Sequence, residues 1–168
     1  YTTLFRSENQ GLGFALSFGL KHCKNELVAR MDTDDISKPE RCEKELQAFA
    51  EDGNLCIVGS SIDEFYGSID NIISSRIVPE SYEQIYKFAK RRSAFNHPTV
   101  MYKKGKVLDF GGYANLRRNQ DVDLFGRMLF GGCKARNIQE SLLYFRSDEA
   151  LAKRRKSWEN TWSYILTI

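Results

Sequence analysis

The stretch LVARMDTDDISKPERCEKELQAF, residues 27–49, sets the tightest limit on how this chain can fold. An apolar run stops at Asp32, and Asp34 and Asp35 complete three aspartates in four positions. Carboxylates at that density repel one another, and burying one without a partner is expensive. They need open water or a counter-charge, so the strand that precedes them must end at a surface or beside a cation. Directly after them Ser37 is placed to cap a helix, Pro39 stands in its first turn, and Asp52-Gly53-Asn54 ends it. Strand, acidic turn and helix in that order form a β-to-α connection.

The rest of the chain continues the alternation. After a glycine turn, Leu12, Ala15, Leu16, Phe18 and Leu20 recur at near-helical spacing, and Asn25 is a stop. Residues 55–67 and 72–79 read as strands, and residues 81–92 as a helix. The segment HPTVMYKKGKVLDFGGY reads as a strand, a turn at Lys104-Gly105-Lys106, and a return to Gly111-Gly112. QDVDLFGRMLFGG reads as a helix with Asp121 near its N-terminus and Gly131-Gly132 at its end. ARNIQESLLYFR is strand-rich. The expectation is one α/β domain with a mixed sheet.

Composition narrows the function classes. The 168 residues are 42% hydrophobic and 28% charged, as in ordinary globular domains. A net charge of +3 is too small to argue for nucleic acid as partner. No apolar run approaches the roughly 20 residues of a membrane span, and no basic-then-apolar secretory pattern opens the chain. Cys23, Cys42, Cys56 and Cys133 are scattered without zinc-like spacing and read as reduced cytosolic thiols.

If residues 32–34 are extended, Asp32 and Asp34 project to the same side with Cα atoms roughly 6–7 Å apart. Two such carboxylates can converge on one hard divalent cation, or one can take a cation and the other a sugar hydroxyl. Asp35 points elsewhere, to orient the others or cap the next turn. A solvated loop whose aspartate caps the next helix is the better account of a bare DxD triplet, and only the wider context changes that.

The wider pattern ENQGLGFALSFGL…ELVARMDTDDISKPERCEKELQAF…IVGSSIDEF…FNHPTVMYKK…GGYANLRRNQDVDLFGRML…GGCKARNIQESLLYFR resembles glycosyltransferase family 2 over residues 8 to about 146. The resemblance implies a GT-A mixed sheet flanked by helices, here without its first β-α-β unit. It implies inverting transfer from a nucleotide-diphospho-sugar, with UDP as the nucleotide, to a growing bacterial cell-surface or lipid-linked saccharide. Asp32 and Asp34 match the DxD motif for the donor ribose and a divalent ion, Mn²⁺ or Mg²⁺, with Asp35 a further metal contact. Asn9 and Gly11 match a turn near the nucleotide. His97 falls in a motif near donor or acceptor, and Gly111, Gly112 and Tyr113 match an acceptor-side loop. Asp121 matches the catalytic base. The preceding family glutamate is replaced by Gln120, which cannot take a proton but can hydrogen-bond an acceptor hydroxyl.

Plainer readings stand beside these. His97 can be a buried hydrogen-bonded ring, Gly111-Gly112 a tight turn, Tyr113 a core aromatic, Arg117 and Arg118 a solvated pair, and Asp123 exposed or capping. Residues 1–7 are read as a non-native leader, 8–148 as a partial transferase domain, and 149–168 as a basic helix. That helix carries Lys153, Arg154, Arg155 and Lys156 ahead of an apolar face with Trp158 and Trp162. It can lie on an anionic membrane at the cytoplasmic face or pack on its own domain. A metal-dependent nucleotidyltransferase and an inactive binding domain are the rival functions.

Overall fold

Strand β3 (Leu55–Phe65) begins with eight buried residues in succession, which a strand can sustain only at the centre of a sheet covered on both faces. The computed structural model, which describes residues 10–116 and 118–148, places it there. β6 (Lys134–Arg146) runs parallel to β3 along most of its length. β5 (Met101–Lys103) pairs antiparallel on the other side, and β1 (Leu27–Ala29) pairs antiparallel with β5. β2 (Ile36–Ser37) lies antiparallel on β6, and β4 (Ile72–Arg76) returns from β3 as a hairpin. The sheet is mixed, as the alternating pattern implies.

Ile57 and Val58, adjacent on β3, serve opposite cores, as the period of a strand dictates. Ile57 enters the larger core under α1 (Leu12–His22), α3 (Tyr82–Ala89), α4 (Lys104–Asp109) and α5 (Gln120–Phe130), with Ile85, Val107, Leu124 and Met128. Val58 faces Ala48 and Phe49 of α2 (Arg41–Glu51). Each such fully buried aliphatic side chain contributes about 1.5–3 kcal/mol.

Four local expectations are corrected. Ser37 is paired in β2 and does not cap α2, whose N-cap is Glu40 without a side-chain cap bond. Pro39 therefore lies in the turn before α2 and outside its first turn. Residues 104–109 form α4, with no returning strand, because capping comes from far away: Glu26 accepts from the Lys104 N–H through its carbonyl (2.7 Å) and from the Gly105 N–H through its carboxylate (3.0 Å). The aspartate cluster is not extended: the Asp35 N–H reaches the Asp32 carbonyl at 3.4 Å, so the chain turns at Thr33–Asp34.

Residues 1–9, Arg117 and 149–168 lie outside the described residues, and with them Asn9, the leader and the basic C-terminal helix. Among the described residues no helix is long and apolar enough to cross a membrane.

Candidate active site

The counter-charge that the acidic cluster calls for is Arg30, two residues before Asp32 on the chain leaving β1. Its backbone N–H bonds the Val100 carbonyl at 2.9 Å, and its guanidinium takes both Asp32 oxygens at 2.6 and 2.9 Å. This is the bidentate fork that fixes a carboxylate in orientation as well as charge. Arg30 is buried, and Arg41 holds its carbonyl through Nη2 at 2.7 Å. Arg41 in turn pairs with Glu45 at 3.0 Å, both side chains fully buried. Burial outweighs the Arg41 attraction and pushes the Glu45 carboxyl up to about 7.

Asp34 and Asp35 diverge from Asp32. Asp34 is exposed, and its carbonyl accepts from Arg146 Nε at 2.9 Å. Asp35 is buried, with Oδ1 accepting the Arg146 N–H at 2.9 Å and Oδ2 without a hydrogen-bond partner. Burial, reinforced by Asp32 and Asp34 against the Arg146 bond, lifts its carboxyl to about 6.

Asp32 and Asp121, distant in sequence, line one cleft of about 280 Å³ with Arg76, Asn96, His97 and Asn119. Asn119 takes a left-handed conformation (φ 59°) to start α5, which sets Asp121 in the first turn. There burial raises the Asp121 pKa, while backbone N–H groups of Asp121 and Val122 and the Arg30 and Arg76 charges pull it down. His97 sits in a single 3₁₀ turn, His97–Thr99, with Nε2 3.0 Å from the Tyr113 hydroxyl. Burial and the Arg30 charge hold its ring well below the usual imidazole value, hence neutral. The same burial, with Tyr102 adjoining, raises Tyr113.

Gly111 and Gly112 are both left-handed (φ 81° and 68°), a pairing that side-chain-bearing residues rarely adopt. Arg127 ties this turn down through the Gly112 carbonyl at 2.9 Å and the Phe110 carbonyl, and pairs with Asp123 at 2.6 Å. Asp123 is thus bound within α5. Gln120 is buried behind the cleft, its Cγ 3.3 Å from where a Cβ on Gly13 would stand, and it is not among the residues lining the cleft. Gly11, with φ 92°, is exposed at the start of α1.

Arg30, Arg76, Asn96 and Arg127 are site residues that the sequence reading passed over. The signal for Arg30 was present: a cation two positions from Asp32 shares its side of an extended segment. Asn96 carried none, since its Nδ2 bonds to the Ser60 and Arg76 carbonyls (2.9 and 3.4 Å) exist only in the folded chain.

Among the described residues, no three His, Cys, Asp or Glu side chains group to enclose a metal. The donor set fits an ion shared with substrate. Mg²⁺ and Mn²⁺ commonly take one or two carboxylates plus phosphate oxygens. Asp34 offers an exposed carboxylate, and Asp35 Oδ2 is a buried acceptor without a donor.

The profile described as Glycosyl transferase family 2 matches residues 2–117. An uncharacterized glycosyltransferase of Haemophilus influenzae is 38% identical over 149 residues, covering 89% of this chain and 55% of that protein. The UDP-Gal:alpha-D-GlcNAc-diphosphoundecaprenol beta-1,3-galactosyltransferase of Escherichia coli is 39% identical over 149 residues, covering 88% and 54%. Among solved structures, the mannosyltransferase PcManGT from Pyrobaculum calidifontis, in complex with GDP-Man and Mn²⁺, superposes with a TM-score of 0.61 at 16% identity, covering 88% of this chain and 40% of that one. The chain spans about half the length of the curated relatives it matches.

Proposed function

The chain belongs to glycosyl transferase family 2 and carries the mixed α/β fold of the GT-A glycosyltransferases, and from that premise we propose that it takes part in inverting sugar transfer from a nucleotide-diphospho-sugar to a growing bacterial saccharide. One observation carries the reading: the turn after β1 and the first turn of α5 bring Asp32 and Asp121 to a single cleft. UDP is the proposed nucleotide and a lipid-linked saccharide the proposed acceptor, both supported by what the E. coli relative is named for, and the cytoplasmic membrane face is the proposed location.

Asp121 is the proposed base. Inversion requires an acceptor hydroxyl to be deprotonated opposite the leaving diphosphate, and a carboxylate in reach of that proton suffices. Burial gives Asp121 more proton affinity than a surface aspartate. Neutral His97, held by Tyr113, offers the acceptor a hydrogen-bonding ring without adding charge near the base. Arg30 presents Asp32 in one fixed orientation for a donor hydroxyl. Asp34 is the proposed metal carboxylate, and a bound divalent ion supplies Lewis-acid charge for the leaving diphosphate.

The test is a thermal-shift titration with UDP, GDP and CDP, with and without Mn²⁺, joined to a transfer assay. UDP with Mn²⁺ at 100 times its Kd should stabilise the chain by about 2.7 kcal/mol, and Asp34→Asn should abolish that shift. Asp121→Asn should keep the shift and lose roughly 10²–10⁴-fold in transfer rate. Wild-type transfer by Asp121→Asn, or a shift indifferent to metal and to Asp34, would overturn the assignment.

A further inference from the structure

A second depression, a groove of about 780 Å³, adjoins the cleft. Lys87 on α3 and Arg91 and Arg92 just beyond its end line it, together with Ile77, Val78 and Phe88. Its one lining carboxylate is Glu80, and among the described residues no carboxylate pairs with any of the three cations. Arg92 lies over the Phe88 ring at 5.4 Å, so its guanidinium is braced against the apolar floor. Ile77 is 72% exposed, the most exposed large hydrophobic among the described residues.

The groove and the cleft meet through consecutive residues. Arg76 lines the cleft and Ile77 the groove; Ser93 lines the cleft and Arg92 the groove. Arg76 Nη2 donates to the Ser93 carbonyl at 3.2 Å and pins the two rims together. The Arg76 charge also acts on Asp121, so a cation stands between the candidate base and the groove.

Unpaired cations beside exposed Ile77 and half-buried Phe88 suit a ligand that is anionic at one end and hydrocarbon at the other. We propose that this groove seats the phosphate-bearing, lipid-linked end of the acceptor, with the diphosphate on Lys87, Arg91 and Arg92 and the first carbons of the tail on Ile77 and Phe88. The inference deepens the acceptor reading above and rests on it. Phosphate oxygens accept charge-assisted bonds from guanidinium groups, and the Arg pair supplies forks that surface lysines cannot. The saccharide attached to the diphosphate then reaches over the Arg76–Ser93 contact toward Asp121.

The test is equilibrium binding of farnesyl diphosphate to the chain with a chelator present and no nucleotide. Inorganic diphosphate and farnesol are the comparison ligands. Farnesyl diphosphate should bind saturably, and at least tenfold tighter than either fragment. The double variant Arg91→Glu/Arg92→Glu should weaken it at least tenfold, the equivalent of losing one charge-assisted bond. Ile77→Asp should weaken farnesyl diphosphate and leave inorganic diphosphate unchanged. Melting curves of both variants should match wild type, since all three side chains are outside the cores.

No saturable binding, or unchanged binding by the double variant, overturns the site. Inorganic diphosphate binding as tightly as the farnesyl ester would assign the groove to soluble phosphates and overturn the lipid half. Equal binding of farnesol would overturn the anionic half. Asp34→Asn should leave this binding intact. A failed nucleotide and Mn²⁺ titration beside intact farnesyl diphosphate binding would refute only the donor reading, and the converse result would refute only the groove.

Discussion

Arg41→Met asks whether the buried pair behind the acidic turn supports the fold. Arg41 is 2% exposed and Glu45 fully buried, and Glu45 Oε2 already lacks a partner. The substitution removes the 3.0 Å bond to Glu45 and the 2.7 Å bond to the Arg30 carbonyl. Removing one member of a buried pair typically costs roughly 3–5 kcal/mol, because the other charge is left in low dielectric. At about 2–4 °C per kcal/mol for a chain of this size, the midpoint should fall by roughly 6–20 °C. The loss should depend on pH. In the wild type Glu45 titrates near 7, raised by burial and restrained by Arg41. Without Arg41 it holds its proton to higher pH, so the variant goes on losing stability beyond the point where the wild type levels off. Thermal and urea melts at pH 6 and pH 8 should therefore show the larger deficit at pH 8. Arg41→Met/Glu45→Leu should recover most of the loss, since an apolar pair often replaces a buried ion pair without penalty. A deficit under about 1 kcal/mol at pH 8, or a double variant no better than the single, would refute the reasoning.

Glu45→Gln isolates the proton. A carboxyl whose folded pKa of about 7 exceeds its ordinary value of 4.5 stabilises the fold below 4.5 and loses that contribution as pH rises through 7. The stability difference should move in the variant's favour by up to about 3 kcal/mol between pH 4.5 and pH 8 in urea melts; a pH-independent difference rejects this. Gly13→Ala should cost about 1–3 kcal/mol despite better helix propensity, because its Cβ would stand 2.4 Å from the Ala114 carbonyl oxygen, which is backbone and cannot swing away. A stabilised Gly13→Ala would show that the approach relaxes. Asn96→Ala removes two bonds that join β3 to β4 beside the cleft and should cost about 1–3 kcal/mol by urea denaturation, with an unchanged midpoint as the refuting result.

The sequence by itself determined the α/β class, a strand over residues 55–65, α5 with its acidic first turn and glycine end, and the need for open water or a counter-charge around Asp32. Each of these is a local matter: apolar periodicity, turn residues and the repulsion of adjacent carboxylates act between neighbours in the chain. The tertiary structure alone decided that Glu26 caps α4 from across the fold, that Gln120 is buried against α1, and that Asp35 is sealed by Arg146. Those outcomes depend on groups tens of residues apart that approach only when the sheet assembles. The meeting of Asp32 and Asp121 was legible only through the family resemblance, because a cleft between two chain segments leaves no periodicity in either.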